Sequence, residues 1–325
     1  MPSIGRRRFL VSASGALAAG ALAPGRLRAR AAVKVGTAVL GDYALAGPFV
    51  VAVERGFFGI EDLAVEFVPF RGGPDLAKAV RSGDVLLGAA GCADILMLRE
   101  AGMPLKMVAT HTEGNHFTLN AAPDVRGIGD LRGKTIGVTA VNATGAVLAR
   151  MVARQQGWDP GRDVKIAGLG DLDAQLAALA RKQIHAFVWG DGGAVSQLAG
   201  TSKVLMRLDT VTGRWISQMQ YVSEDSIRRR GDEIRKVMKG LFAAIRYMTQ
   251  QTAEAAELVG KTLGWTPQAV LAAHRISGGL MSHDGTVSLE ALRSMQDTLL
   301  EQGAITKRLP LEEHVAREFT PVKLG

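Results

Sequence analysis

The segment DLRGKTIGVTAVNATGAVLAR, Asp130 to Arg150, contains Gly133, Lys134 and Thr135, the closing residues of a nucleotide-binding P-loop. A P-loop also needs a glycine five residues earlier, where Ile128 stands, and a helix directly after the lysine. Thr135, Ile136, Gly137, Val138 and Thr139 instead form a β-branched run, so the lysine leads into a strand. Beyond it, Asn142, Ala143, Thr144 and Gly145 precede Ala146, Val147, Leu148, Met151 and Val152, which recur at helical spacing. Asn142 or Thr144 stands where a helix cap belongs. The unit is therefore strand, tight turn, helix. The first N–H groups of that helix face the space beyond the strand, an arrangement that suits a small anionic or polar ligand and equally an ordinary capped helix.

The same alternation extends in both directions. Strands are expected at Val33 to Val39, Leu63 to Phe70, Val85 to Ala89 and Lys106 to His111, with helices at Leu45 to Arg55, Pro74 to Arg81 and Ala93 to Glu100. A register change through Thr112, Glu113, Gly114, Asn115 and His116 opens a second set. It contains strands at 135–139, Val164 to Ile166 and Ala186 to Trp189, and helices at 144–156 and Leu172 to Arg181. Alternating β and α elements predict parallel sheets. From Ser223 onward the pattern is almost entirely helical, with Ile234, Val237, Met238, Leu241, Phe242 and Ile245 on one face. There is no long linker, low-complexity stretch or internal sequence repeat.

The chain has 325 residues, 47% of them hydrophobic, enough for about two domains. Arg6, Arg7 and Arg8, followed by Phe9, Leu10, an Ala-rich apolar run and Ala29-Arg30-Ala31, read as an export signal of the twin-arginine type over residues 1–31. The apolar run, about thirteen residues, is shorter than the roughly twenty that span a bilayer. This leader holds six arginines and no acids. Its removal takes the 39 basic residues to 33, against 31 acidic ones, so the high isoelectric point is partly a leader effect and nucleic acid is not an expected partner. Cys92 is the single cysteine, which excludes an intrachain disulfide. The six scattered histidines lack paired spacing, so neither a metal site nor a cofactor is expected.

Val51 to Gly91, VAVERGFFGIEDLAVEFVPFRGGPDLAKAVRSGDVLLGAAG, resembles the helix, GFF turn, strand and Gly-Asp pattern of periplasmic solute-binding proteins for sulfonate, taurine, nitrate and pyrimidine transporters, the SsuA and NMT1/THI5-like proteins. DLRGKTIGV, then Gly157-Trp158 and DVKIAGLGDLDAQLAALARKQIHAF, is similar to the second-lobe signature of that family. The likeness spans nearly the whole mature chain. Two positions depart from the pattern: Leu86 replaces a customary aspartate, and Lys182 and His185 stand in a Gly-x-x-Asp-Ala ending. The resemblance implies an α/β, two-lobed periplasmic-binding-protein-like fold of type II, with a ligand cleft between the lobes and a helical C-terminal segment. Lobe 1 comprises 32–113 and 220–325, and lobe 2 comprises 114–219. It further implies a monomer in the periplasm that captures a small organic ligand and presents it to an ABC permease in the inner membrane.

In open α/β sheets ligands bind beyond the carboxyl ends of strands, and this rule selects the candidate residues. Asp42 and Tyr43 follow the first strand, as an amine acceptor and a stacking or hydrogen-bonding ring, or else as a turn aspartate and a core-edge tyrosine. Arg71 follows the second strand as an anion contact or a solvated turn residue. Gly91 and Cys92 end the third and allow close backbone approach, with Asp94 read as an N-cap. Asn142, Ala143, Thr144 and Gly145 form the donor nest of the opposing lobe. Trp189 and Asp191 end the last second-lobe strand, Trp189 as an exposed lid or a structural residue. His111 and His116, at the first crossover, read as hinge or surface residues. Since some relatives of this fold are cysteine desulfinases, Cys92 at a helix N-terminus is also a candidate nucleophile of lowered pKa. Export with cleavage after Ala31 predicts a secreted chain beginning at Ala32, a result that intact-mass spectrometry reads directly.

Overall fold

The computed structural model describes residues 32–324 apart from Gly192; the leader expected over 1–31 lies outside the described residues. The first half runs β1 (Val33–Thr37), α1 (Tyr43–Glu54), β2 (Val65–Pro69), α2 (Gly73–Ser82), β3 (Leu87–Gly91), α3 (Cys92–Glu100) and β4 (Leu105–Glu113). The chain then crosses to β5 (Thr118–Ala121), β6 (Thr135–Val138), α4 (Thr144–Gln155), β7 (Lys165–Gly168), α5 (Leu172–Ala180), β8 (Ala186–Trp189), α6 (Gly193–Leu198) and β9 (Lys203–Arg207). It returns through β10 (Ile216–Ser223) to α7 (Glu224–Gln250), α8 (Thr252–Leu263), α9 (Pro267–Ser277), α10 (Leu289–Glu301) and the short α11 (Leu311–His314).

The strands form two five-stranded sheets, β2-β1-β3-β10-β4 and β7-β6-β8-β5-β9. Both are mixed rather than parallel. β1 pairs parallel with β2 and β3, and β6 with β7 and β8, as βαβ units require. β10 is antiparallel to β3 and β4, and β5 is antiparallel to β8 and β9. The antiparallel strand in each sheet is the one that arrives from the other half, so it occupies the same fourth place in both. β10 escapes sequence reading because every residue from Ile216 to Ser223 is buried, including Ser217, Gln218 and Gln220. With no solvent-facing residue, the polar and apolar positions do not report its two faces.

Leu86 and Lys182, two of the positions that depart from the family pattern, have distinct local settings. Leu86 is wholly buried, and its N–H donates to the Lys34 carbonyl at the start of β3's pairing with β1. Lys182 adopts a left-handed φ of 57°, the conformation a glycine takes most readily.

α1 carries the packing of the first half. Every residue from Tyr43 to Ala52 is buried, and the helix lies against α7, α8 and α9. It also contains Pro48, which has no N–H to give the carbonyl one turn back, that of Ala44. The imidazole of His111 on β4 fills this gap, with its Nε2 2.9 Å from the Ala44 carbonyl oxygen. The other ring nitrogen lies 3.0 Å from Gln220 Nε2, so the tautomer is set with Nε2–H donating to Ala44 and Nδ1 accepting from Gln220. Phe49 stacks on the same imidazole and on Phe67. His111 is thus a core residue rather than a hinge or surface one, and burial lowers its pKa to about 4.

His111→Leu should cost about 1–3 kcal/mol of unfolding free energy, since it strands a buried carbonyl. Pro48→Ala in that background should restore part of the loss, because residue 48 then has an N–H for Ala44; a double-mutant cycle in urea measures the coupling. The native His111 is neutral where an unfolded histidine ionises, so its contribution to stability is present above pH 6.5 and lost as pH falls from 6.5 to about 4. His111→Leu should flatten that limb.

Candidate functional site

The carboxyl ends of the two sheets face each other, and the helix N-termini that start there are satisfied from the opposite half. Asp42 ends the turn after β1 and caps α1 by accepting the Leu45 N–H at 3.0 Å. The two preceding donors of that helix go elsewhere. The Tyr43 and Ala44 N–H groups donate to the two carboxylate oxygens of Asp191, at 2.8 and 2.9 Å. Asp191 follows β8 in the second half and also accepts from the hydroxyl of Ser277, at the end of α9. The Trp189 indole N–H donates to the Gly41 carbonyl at 2.8 Å.

A second contact mirrors the first. α4 begins after Ala143, whose methyl group cannot cap it. Asp94, in the first turn of α3, does so from the first half: its Oδ1 accepts both the N–H and the hydroxyl of Thr144, at 2.6 and 2.7 Å. Glycine is needed for this approach, because a Cβ at Gly91 would lie 2.3 Å from Thr144 Oγ1. Gly190 plays the same part beside the first contact, where a Cβ would lie 2.4 Å from His116 Nε2 and 2.6 Å from Asp42 Oδ2.

His116 joins the two aspartates of the first contact. Its Nε2 lies 3.3 Å from Asp42 Oδ2 and its Nδ1 lies 2.6 Å from the Ser217 hydroxyl, all wholly or nearly buried. Burial raises the Asp42 carboxyl, but the charge and hydrogen bond of His116, with those of Leu45 and Gln218, outweigh it and hold Asp42 below the usual carboxylate range. Burial lowers His116 and the two nearby aspartates more than compensate, so it sits above its ordinary value. Asp191 is pushed up to about 7, by burial and by the charge of Asp42. Burial alone lifts Asp94 to about 6, against the pull of the Thr144 donors. Among the described residues, Asp42, His116 and Asp191 are also placed to share a metal ion, with ligand atoms within 4.8 Å of one another. They lie 74 and 75 residues apart in sequence, a convergence that histidine spacing does not display.

Several expected site residues change role. Asn142 is exposed and caps nothing, and the donor nest at 142–145 meets Asp94 instead of open space. Asp94 caps α4 across the interface rather than its own helix. Trp189 is 2% exposed, so it is an interface strut and not an exposed lid. Tyr43 is fully buried, its hydroxyl 2.9 Å from His274 Nδ1. Arg71 has an exposed side chain facing Asp171 of the other half at 3.8 Å. Cys92 is fully buried in the first turn of α3, and burial and Asp94 push its thiol up, opposite to the lowered value expected at a helix N-terminus. His116, expected as a hinge or surface residue, is buried in the site, and Ser217, Gln218 and Ser277 join it without any signal in the sequence, since each arrives from an element remote from its partners.

Two mixed sheets exchanging one strand each, with helix N-termini converging between them, define the periplasmic-binding-protein fold. The chain belongs to the NMT1/THI5-like family, whose profile matches residues 46–255. No curated protein sequence matches it. Among solved structures, the alkanesulfonate-binding protein SsuA from Xanthomonas axonopodis pv. citri, bound to MOPS, is similar at 20% identity and TM-score 0.73, covering 89% of this chain and 99% of that one. The ligand-binding component of an ABC-type import system from Staphylococcus aureus, with zinc bound, reaches TM-score 0.76 at 13% identity, covering 91% and 100%. The desulfurization enzyme DSZB shares the fold at 15% identity and TM-score 0.60, covering 88% and 97%.

Asp94 holds its proton more tightly in the native chain than in the unfolded one. Its contribution to stability is therefore largest at low pH and falls as pH rises from about 4 to about 6. The difference in unfolding free energy between wild type and Asp94→Asn should drift in that single direction across pH 4 to 7 and level off above it, in urea titrations at stepped pH.

Proposed function

We propose that this chain is the solute-capturing component of an ABC importer. In this reading residues 32–113 and 220–325 form one lobe and 114–219 the other, and the two close around a small organic ligand: a sulfonate, a taurine-like compound, an aromatic acid or a pyrimidine precursor. The observation that carries it is the interface itself. Its bonds join strand ends and helix N-termini across the halves, the position at which open α/β folds take ligands. Asp42, Tyr43, Gly91, Ala143, Thr144, Gly145, Trp189 and Asp191 stand at or beside this interface. Sulfonate-binding and import components among the structural neighbours support the same reading.

The transport role places the protein in the periplasm as a monomer, exported with a cleaved signal, where the closed pair of lobes is the form an inner-membrane permease recognises. No helix among the described residues is long and apolar enough to cross a membrane. Closure of this kind turns ligand occupancy into a shape that a partner reads.

The same fold in DSZB keeps a Cys92-dependent reaction in view as the competing reading. The buried thiol with its raised pKa favours binding over catalysis, since a nucleophilic cysteine needs access and thiolate character.

A thermal-shift screen of the chain from Ala32 against sulfonates, taurine, nitrate, aromatic acids and pyrimidines tests the proposal. A true ligand at a hundred times its Kd should add about 2.7 kcal/mol of stability and be recovered unchanged by mass spectrometry. Cys92→Ala should leave that shift intact. Conversion of the compound by wild type but not by the variant would establish the enzyme.

A further inference from the structure

The contact between Asp42, His116 and Asp191 has the makings of a metal centre as well as of an ion pair. One oxygen from each carboxylate and one imidazole nitrogen lie within 4.8 Å of one another, and all three residues are buried. Asp42 comes from the first half of the molecule and Asp191 from the second, with His116 on the segment that joins them. Two carboxylates in a desolvated place carry two negative charges, and a protonated His116 offsets only one of them.

We infer that Asp42, His116 and Asp191 bind a divalent transition-metal ion, Zn²⁺ foremost, which ties the two halves together. The inference goes beyond solute capture and does not depend on it. Its first support is spacing. Asp42 Oδ2 lies 3.3 Å from His116 Nε2, whereas a charge-assisted hydrogen bond between nitrogen and carboxylate runs about 2.7–2.9 Å. A tetrahedral ion with bonds of about 2.0–2.1 Å sets its ligand atoms about 3.3 Å apart. The pair is therefore wide for a hydrogen bond and spaced for a shared ion. Asp191 stands within 4.8 Å of both, a gap that a small side-chain movement closes. An ionised carboxylate has about four acceptor sites. Asp191 spends three, on the Tyr43 and Ala44 N–H groups and the Ser277 hydroxyl, and keeps one for an ion.

The surroundings meet the further needs of such a site. His116 Nδ1 lies 2.6 Å from the Ser217 hydroxyl, and a ring that donates there directs the Nε2 lone pair toward Asp42. The Gln218 side-chain nitrogen, 3.4 Å from the same Nε2, favours that tautomer, since its N–H needs a lone pair to meet. The Leu45 N–H holds the other oxygen of Asp42. At Gly190 a Cβ would lie 2.4 Å from His116 Nε2 and 2.6 Å from Asp42 Oδ2, so any side chain there would press on both ligand atoms. A groove of about 200 Å³, lined by His116 with Thr118, Gln197 and Arg207, gives an ion its approach while the halves are joined.

Charge and ligand type select the ion. A proton can hold the place between Asp42 and His116, and a metal displaces it and leaves the imidazole neutral, as ligation requires. The two charges of the ion then cancel those of the two carboxylates. Calcium and magnesium prefer oxygen ligands alone, so the imidazole favours a transition metal.

The test uses the untagged chain from Ala32, stripped with EDTA and dialysed, then titrated with Zn²⁺ by calorimetry and with Co²⁺ by visible absorption. One ion per chain, d–d bands on cobalt binding and a raised unfolding midpoint with zinc are expected. His116→Gln and Asp191→Asn should each weaken zinc binding at least tenfold. His283→Ala, which removes an exposed histidine, should leave it unchanged. A wild type that takes up no zinc overturns the inference, as does full affinity in His116→Gln and Asp191→Asn or its loss in His283→Ala. Where circular dichroism shows that the site variants do not fold, anomalous diffraction at the zinc edge from wild-type crystals decides. A peak among Asp42, His116 and Asp191 supports the site, and a peak elsewhere or none removes it.

Discussion

The donors at the start of α1 set the terms for the rest of the molecule. This helix is buried along its whole first ten residues, so none of its end groups has water to fall back on. Each is met by a side chain from a different element: Leu45 by Asp42, Tyr43 and Ala44 by Asp191, and the Ala44 carbonyl, orphaned by Pro48, by His111. A buried polar group left unmet costs about 1–3 kcal/mol. Packing α1 in the core of one half therefore requires a carboxylate from the other. The contact between the halves is a consequence of burying that helix, not an addition to it.

This dependence explains which parts of the fold are legible in the sequence. β1, β2, β6 and β8, and the helices that follow the first three, announce themselves through runs of β-branched residues and through apolar residues at helical spacing, because those patterns record a strand or a helix with one or two apolar faces. The C-terminal helices are legible for the same reason: Ile234, Val237, Met238 and Leu241 lie on one buried stripe. β10 is illegible because its polar residues are buried against partners on another strand: Gln218 accepts from the Thr112 hydroxyl, and the Gln220 amide nitrogen donates to His111. Nothing within eight residues distinguishes a buried glutamine with a partner from an exposed one without.

The site shows the same limit more sharply. Strand ends and helix starts are local features, and they led to Asp42, Gly91, Thr144, Trp189 and Asp191. What each residue faces is not local. A tryptophan at a strand end before a glycine reads as exposed until the opposite half covers it, and an alanine before a helix reads as part of a donor nest until Asp94 arrives from fifty residues away. His116 is the extreme case. Its neighbours in sequence are a turn and a short strand, whereas its neighbours in space are an aspartate from the first crossover of β1 to α1, a serine from β10 and the backbone of Gly190.

The charge state of the site follows from that packing. Asp42 and His116 can ionise together because each stabilises the other, and Asp42 gains two further donors, the Leu45 N–H and the Gln218 side chain. Asp191 cannot share that advantage fully: Asp42 lies close enough to repel a second negative charge, and burial adds to the cost. The helix N–H groups and Ser277 oppose both effects without cancelling them. Asp94 meets the same burial with fewer donors. Both carboxylates are thus held in place by hydrogen bonds and penalised by burial, and a proton added to either relieves the cost of burying its charge.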